Sequence, residues 1–315
     1  MNITGLHHVT AIASDPQRNL DFYVELLGLR LVKRTINFDD PGSYHFYFGD
    51  AAGTPGTILT FFPWPGARRG TRGSGEISAT AFTIPTGSAA YWLERLKEHH
   101  VSAERAPKRF GDEVIRFADP DGMLIELIES TPSDEVVPWT EGLGEHAVRG
   151  FHGVSAALQN REETAALLSE VFGYQLIQET ENRLRFGAPG EAGIGKTIDL
   201  ISTPNVQPGQ TGAGSVHHIA FRVPNDEQQK AWREKLLDLG YQVSPVMDRV
   251  YFHSIYFREP GGVLFELATD PPGFSYDETI KELGANLRLP PWMEKARSEI
   301  ESVLPKITVP TKATL

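Results

Sequence analysis

Three residues of metal-ligand type stand at matching places in a sequence that repeats itself. Histidine occurs twice as a doublet, at His7-His8 and at His217-His218, and Glu266 lies in an otherwise apolar stretch. Two neutral imidazoles and one carboxylate leave three adjacent positions open on an octahedral ion, which suits an iron(II) that must bind both an organic ligand and dioxygen. Zinc, manganese or cobalt could occupy the same ligands. Such a site requires the chain to bring together residues from near both of its ends.

The elements that must position these residues form a fourfold repeat. The segment Phe117–Leu127 matches the segment Phe257–Leu267, and each pattern predicts a strand, a tight turn and a second strand. The strand openings Gly5–Val9 and Gly150–Val154 also match. Each opening is followed by a helical pattern, near residues 19–28, 88–99, 162–172 and 227–239. The units begin near residues 5, 76, 150 and 215, and their spacing is what a βαβββ unit needs.

The repeat predicts an α+β fold of four tandem βαβββ modules that form two barrel-like domains of paired modules. We expect an N-terminal pair within residues 1–145, with modules at 5–65 and 76–130. A C-terminal pair is expected within residues 146–275, with modules at 150–204 and 215–270. A partly helical extension should occupy residues 276–315, with a helix introduced by Pro290-Pro291 that lies over the fold or at a subunit contact.

Strand alternation predicts which histidine of each doublet faces the barrel interior, because neighbouring side chains point to opposite faces of a sheet. In the fourth unit His217 shares an apolar face with Ile219, whereas His218 shares a smaller, more polar face with Ala220. We therefore predict that His218 points inward, and the same parity places His8 and Thr10 inward in the first unit. Glu266 alternates with apolar residues, and burying its carboxylate without a partner would be costly.

The repeat also predicts which units pair. The positions equivalent to His8, His218 and Glu266 are held in units three and two by Gly153, Ala79 and Glu126. Pairing of units one and two, or of three and four, would leave each site without one histidine. Only the pairing of unit one with unit four unites His8, His218 and Glu266, so we predict that pairing. Glu126 is then interpreted as a relic or a fold-stabilising residue.

These features resemble the vicinal oxygen chelate (glyoxalase/extradiol dioxygenase) superfamily. The stretch Val32–Asp50, with its Asp39-Asp40-Pro41 and Tyr44-His45 motifs, resembles a signature of the hydroquinone-type ring-cleaving dioxygenases within it. The resemblance implies an extradiol-type enzyme that inserts both atoms of dioxygen into an aromatic diol, in particular a substituted hydroquinone. It implies iron(II), with manganese(II) or another divalent metal as alternatives, on the three ligands already derived.

The resemblance also implies catalytic residues around the metal: Tyr256, Arg249, His217, His7 and Thr10. Tyr256 lies on the strand before Glu266, where a phenol could donate a proton or a hydrogen bond to bound substrate or oxygen. Arg249 could stabilise an anionic ring oxygen. For Arg249 and His7 a purely structural role is an equally good interpretation.

Two other functions fit parts of the sequence. The same ligands can serve a glyoxalase-type isomerase or a thiol transferase of the same superfamily, although those enzymes usually have two units per chain. A binding protein of the antibiotic-sequestering kind would normally lack the metal ligands. Four units with one complete ligand set favour the dioxygenase, and the metal found in the purified protein would discriminate between these functions.

Composition excludes several other classes. The 315 residues carry a net charge of −11, which argues against a nucleic-acid or anionic-membrane partner. The chain has no cysteine, so disulfides, cysteine-bound metals and thiol nucleophiles are excluded. No apolar run is long enough for a membrane span, and we expect a cytoplasmic protein whose partners are a small aromatic diol and dioxygen. The sequence leaves open whether the protein is a monomer or a homo-oligomer.

Overall fold

Four βαβββ units follow one another along the chain in the computed structural model, which describes residues 3–130, 136–139, 142–190 and 193–310. Unit one consists of β1 (Leu6–Ala13), α1 (Pro16–Leu20), β2 (Arg30–Asn37), β3 (Asp40–Gly49) and β4 (Ile58–Pro63). Unit two consists of β5 (Glu76–Ile84), α2 (Ala89–Glu98), β6 (Ala103–Arg109), β7 (Asp112–Ala118) and β8 (Leu124–Glu129).

The second half of the chain repeats this order. Unit three consists of β9 (Phe151–Leu158), α3 (Glu162–Ala166), β10 (Gln175–Thr180), β11 (Arg183–Gly187) and β12 (Thr197–Ser202). Unit four consists of β13 (Val216–Val223), α4 (Asp226–Asp238), β14 (Met247–Asp248), β15 (His253–Arg258) and β16 (Leu264–Thr269). Helices α1 and α3 continue as π-helical turns, Asp21–Leu26 and Leu167–Val171, and a short 3₁₀ turn, Gly144–His146, precedes unit three.

Two curled sheets of eight strands each are built from these units. The first runs β14-β15-β16-β13-β1-β4-β3-β2, and the second runs β10-β11-β12-β9-β5-β8-β7-β6. At the centre of the first sheet β1 pairs antiparallel with β13, and at the centre of the second β5 pairs antiparallel with β9. The predicted pairing of unit one with unit four is therefore confirmed. The predicted domain boundary near residue 145, which separates units one and two from units three and four along the chain, remains a prediction.

Each helix covers the outer face of a sheet with a few large apolar side chains. Trp92 and Leu96 of α2, and Trp232 and Leu236 of α4, are almost completely buried. The side chain of Asn225 accepts a hydrogen bond from the Gln228 amide and caps the first turn of α4. Buried tryptophans contribute large apolar areas to such packing, so the helices hold the curvature of the sheets while leaving the concave faces free for polar groups.

The two linkers between units lie side by side. Isolated bridges join Arg69 to Ala213, Thr71 to Gln210 and Ser74 to Pro208. Gly73 permits this approach, because a Cβ atom there would lie 2.3 Å from the amide nitrogen of Gly209. The basic segment of residues 67–73 therefore lies in the linker between units one and two and pairs with the linker between units three and four.

The C-terminal extension, described to residue 310, lies over unit one. It contains 3₁₀ turns at Phe274–Tyr276, Ile280–Glu282 and Pro291–Ala296, and α5 spans Arg297–Val303. The helix expected from Pro290 onward is thus α-helical only in its second half. Leu287 forms a bridge with Arg34, so the extension covers the edge strand β2.

Among the residues that the structure describes, no helix is both long and apolar enough to cross a membrane.

Candidate metal centre

Three neighbouring strands at the centre of the first sheet carry the three metal-ligand candidates. His8 lies on β1, His218 on β13 and Glu266 on β16, and all three side chains are buried. Nε2 of His8 is 3.4 Å from Nε2 of His218 and 3.3 Å from Oε2 of Glu266. Nε2 of His218 is 2.9 Å from the same carboxylate oxygen. The sequence therefore brings together the three donors that were predicted to converge.

The spacing of these donors fits a divalent cation. Ligand atoms at about 2.1 Å from an ion, on neighbouring octahedral positions, lie about 3 Å apart. Oε2 of Glu266 is buried and has no hydrogen-bond partner, although two imidazole nitrogens lie close to it. The three donor atoms lie within 3.4 Å of one another, an arrangement that could hold a metal ion.

The protonation states also suit a cation. Burial raises the pKa of Glu266, but His8 and His218 lower it more strongly, so that the pKa lies well below its usual range and the carboxylate is ionised. Burial lowers the pKa of His218 in spite of the neighbouring Glu266, which favours the neutral imidazole that a metal requires. This group of His8, His218 and Glu266 could hold a metal ion.

In each doublet the first histidine contacts the second, which is the metal-ligand candidate. Nδ1 of His7 lies 2.9 Å from Nδ1 of His8, and Nδ1 of His217 lies 2.7 Å from Nδ1 of His218. If the ligand presents the lone pair of Nε2, its proton is on Nδ1 and is donated to the neighbour. Burial lowers the pKa of His7 well below its usual range and that of His217 to about 4, so both neighbours are neutral and can accept.

Ser254 is a carboxylate partner that the sequence reasoning missed. Its hydroxyl lies on β15 and donates to Oε1 of Glu266 over 2.5 Å. The signal was its position two residues before Tyr256, because that spacing places both side chains on the same face of the strand. The bond fixes one carboxylate oxygen and leaves the other directed at the histidines.

A small cavity of about 30 Å³ adjoins these ligands, which is room for about one water molecule. Units one and four both contribute to its wall, and aromatic rings alternate there with polar groups. The lining residues are His8, Thr10, Asn37, Phe38, Asp39, His45, Tyr47, Phe62, His218, Arg249, Phe252 and Tyr256.

Tyr256 and Arg249, both expected near the metal, lie together in this cavity. Tyr256 is opposite Glu266 in the sheet, and Nε of Arg249 donates to its phenol oxygen over 3.2 Å. Burial and the nearby Glu266 raise the pKa of Tyr256, so the phenol keeps its proton. Nη1 of Arg249 also pairs with Oδ2 of Asp39 at 3.2 Å, at the tip of the β2–β3 hairpin.

Thr10 faces the cavity as expected and belongs to a hydrogen-bonded chain that the sequence reasoning did not foresee. Its hydroxyl is 2.9 Å from that of Thr60, which is 2.8 Å from Nε2 of His45. Nδ1 of His45 is 2.9 Å from the hydroxyl of Tyr47. The motif Tyr44-His45 pointed to this strand, but only the structure identifies which of its side chains enter the cavity.

The second barrel carries ion pairs at the equivalent position. Glu126 accepts hydrogen bonds from both terminal nitrogens of Arg109 at 2.6 Å, and it also contacts Arg116. Arg116 is opposite Glu126 in its sheet, as Tyr256 is opposite Glu266. At Gly153 a Cβ atom would lie 2.0 Å from the carbonyl oxygen of Thr197, so no side chain fits where unit one has His8.

The fold and the site together define the class of protein. The sequence model of the Glyoxalase/Bleomycin resistance protein/Dioxygenase superfamily matches residues 5–127 and 150–267, and the chain belongs to this family. The resemblance inferred from the repeats and the histidine doublets is confirmed.

Several proteins are similar to this chain over nearly their whole length. The chain is 46% identical over 302 residues to the "Putative ring-cleaving dioxygenase MhqO" of Bacillus subtilis, with 95% of each chain covered. It is 36% identical to the chlorohydroquinone/hydroquinone 1,2-dioxygenase of Sphingobium indicum, again with 95% of each chain covered. A crystal structure of a "putative dioxygenase" from Bacillus subtilis superposes with a TM-score of 0.92 at 44% identity, covering 98% of this chain and 99% of that one.

A more distant structure shares the fold alone. Glyoxalase I from Zea mays superposes with a TM-score of 0.63 at 15% identity, covering 85% of this chain and 92% of that one.

Proposed function

We propose that this protein is an iron(II)-dependent, extradiol-type ring-cleaving dioxygenase whose substrate is a hydroquinone, substituted or not. The observation that carries the proposal is the convergence of His8, His218 and Glu266 beside a small cavity whose wall includes several aromatic rings. Support for the substrate class comes from the full-length similarity to a chlorohydroquinone/hydroquinone 1,2-dioxygenase.

In this proposal His8, His218 and Glu266 hold the metal, and His7 and His217 keep the two ligand imidazoles in the required tautomer. Iron(II), when bound there, lowers the pKa of a coordinated hydroxyl and activates dioxygen. These three ligand residues would leave further coordination positions on such an ion for substrate and dioxygen.

Tyr256 and Arg249 are proposed to donate a proton and to stabilise negative charge at the reacting ring. Because the phenol of Tyr256 stays neutral, it can donate a hydrogen bond or a proton to an oxygen of the substrate. Arg249, which donates to that phenol, brings a permanent positive charge close to an anionic ring oxygen. Thr10 completes the wall on the side of unit one.

Substrate access requires the cavity to open. The volume of about 30 Å³ is far below the roughly 150 Å³ of a cavity that accommodates benzene. Phe38 and Asp39 at the tip of the β2–β3 hairpin are the part of the wall that can move with least loss of sheet pairing. A hinged tip would admit the ring and then exclude water from it.

Oxygen uptake tests the proposal. Protein loaded with iron(II) without air is exposed to dioxygen with methylhydroquinone, with catechol, or with methylglyoxal plus glutathione. We expect one dioxygen consumed per methylhydroquinone and a loss of uptake in His218→Ala. His152→Ala, which changes a histidine of the other barrel, should keep the activity. Turnover of the glutathione adduct without uptake on any diol would move the function to the isomerase branch of the family.

A further inference from the structure

A second tyrosine faces the cavity from unit one. Tyr47 on β3 lies opposite Thr60 on β4, as Tyr256 on β15 lies opposite Glu266 on β16. Thr60 is in turn the counterpart of Glu266, because it lies opposite Thr10 on β1 just as Glu266 lies opposite Ala220 on β13. The two phenols are therefore equivalent positions of paired units, and they approach the cavity from opposite halves of the barrel.

The phenol of Tyr47 is held in place by a chain of neutral groups. Its hydroxyl is 2.9 Å from Nδ1 of His45, whose Nε2 is 2.8 Å from the hydroxyl of Thr60. The two rings also pack together, with centroids 4.1 Å apart, and the ring of His45 lies against Phe62. A phenol has one donor and two acceptor sites, so the bond to His45 leaves capacity for a ligand.

Burial keeps the phenol of Tyr47 and the imidazole of His45 uncharged. Burial raises the pKa of Tyr47 well above its usual range, and Tyr256 and Glu266 also raise it, although Arg249 lowers it. Burial likewise lowers the pKa of His45, helped by His8 and Arg249. The hydrogen bonds of the dyad Tyr47–His45 are thus formed between uncharged groups, which can recognise an uncharged hydroxyl.

We propose that Tyr47, positioned by His45, binds the second hydroxyl of a para-diol whose first hydroxyl is at the metal centre. The two oxygens of a para-diol point away from each other and cannot reach the same ion. The remote oxygen therefore needs a protein partner, and the second phenol of the cavity supplies one. Both oxygens of an ortho-diol can reach one ion, which leaves Tyr47 without a ligand. The dyad would make the site selective for para-diols, an inference that rests on the proposed function.

Calorimetric binding tests the role of Tyr47. Iron(II)-loaded protein is titrated without dioxygen with hydroquinone and with phenol, which lacks the second hydroxyl. We expect wild-type protein to bind hydroquinone about tenfold more tightly, as one well-placed hydrogen bond predicts. In Tyr47→Phe the two ligands should bind alike. Tyr44→Phe is the matched control, because the hydroxyl of Tyr44 donates to the carbonyl oxygen of Pro305 and not to the site. That variant should keep the wild-type ratio.

Each result decides one question. Equal binding of hydroquinone and phenol by wild-type protein overturns the inference, even if Tyr47→Phe should fail to fold. So does a Tyr47→Phe variant that folds and keeps the tenfold ratio. Wild-type protein that consumes no dioxygen with any diol refutes the proposed function. A binding preference that depends on Tyr47 would then still establish the dyad as a hydroxyl-binding site.

A second variant separates positioning from folding. His45→Phe removes the group that orients the phenol while keeping an aromatic ring against Phe62. We expect the KM for methylhydroquinone to rise about tenfold and kcat to change less, because substrate binding is weakened more than the chemical step. A fall in kcat with unchanged KM would contradict a positioning role.

Discussion

At the scale of single residues, each histidine doublet combines a metal-ligand candidate with its hydrogen-bond partner. A ligand imidazole needs a partner on its other nitrogen to fix its tautomer and orientation. In this chain the partner is the adjacent residue: the Nδ1 atoms lie 2.9 Å apart in His7-His8 and 2.7 Å apart in His217-His218. The rings of His7 and His8 both pack against Phe252, with centroids 5.1 and 5.0 Å away, so the supporting ring lies beside the ligand.

Replacing the supporting histidine should weaken metal binding without removing a ligand. We expect His7→Phe and His217→Phe to lower the affinity for iron(II) by about 10- to 100-fold, as loss of such partners typically does. The affinity can be measured by competition with a chromogenic chelator. His152→Phe, at the position of unit three that corresponds to His7, is the matched control. An equal loss of affinity in that variant would show that the effect comes from general destabilisation.

At the scale of elements, the edge strand β2 and the C-terminal extension depend on a buried charge. The side chain of Lys33 is fully buried, and its ammonium lies 2.6 Å from Asp277 and 2.5 Å from Glu278. The extension also borders the site, since the ring of Trp292 packs against Phe38 with centroids 5.7 Å apart. One buried lysine thus anchors a segment that contacts the hairpin tip over the cavity.

Removing that lysine should release the extension. Lys33→Met removes the ammonium that lies 2.5 Å from the buried Glu278 and leaves Arg288 at 3.4 Å from that carboxylate, and breaking such a buried pair costs about 3 kcal/mol. We expect a lower unfolding temperature and faster proteolysis within residues 276–310. Lys97→Met, which removes an exposed pair with Glu94, should behave like wild type. If both variants melted alike, the extension would not depend on Lys33.

At the scale of the whole molecule, one fold supports two different interiors. The barrel of units one and four gathers two imidazoles and a carboxylate that could hold a metal ion, whereas the barrel of units two and three fills the same place with arginine–carboxylate pairs. Arg109 and Arg116 lower the pKa of Glu126 although burial raises it, and Arg185 and Arg183 do the same for Asp199. The second barrel therefore contributes stability through ion pairs.

This stability should depend on pH in a defined direction. Because the pKa of Glu126 is lower in the folded than in the unfolded state, its contribution is present above the unfolded pKa of about 4.3 and is lost as the pH falls through the folded value. We expect Glu126→Gln to lower the free energy of unfolding by about 3 kcal/mol at pH 7, and by progressively less below about pH 4. Denaturant unfolding of both proteins across this pH range measures the difference in the free energy of unfolding.

The same variant tests whether the barrels are independent. Glu126→Gln should bind iron(II) like wild type, whereas Glu266→Gln, its counterpart in the first barrel, should lose the metal. Loss of metal from Glu126→Gln would show that the two interiors are coupled.

The sequence by itself determined the units, their pairing and the three donors. Strand alternation and the repeat are local properties, so the inward direction of His8, His218 and Glu266 could be derived without coordinates. The comparison of equivalent positions, His8 with Gly153 and His218 with Ala79, was sufficient to predict that unit one pairs with unit four, as the sheets confirm.

Only the tertiary structure decided what surrounds those donors. Ser254 could be matched with Glu266, and Tyr47 with His45 and Thr60, only once the strand register was known. Arg185 on β11 pairs with Asp112 on β7, a strand of another unit, and Lys33 meets Glu278 from 245 residues away in the chain. Such contacts depend on which side chains meet when the sheets curl. Periodicity fixes the face on which a residue lies, whereas its partner is fixed by packing across the whole molecule.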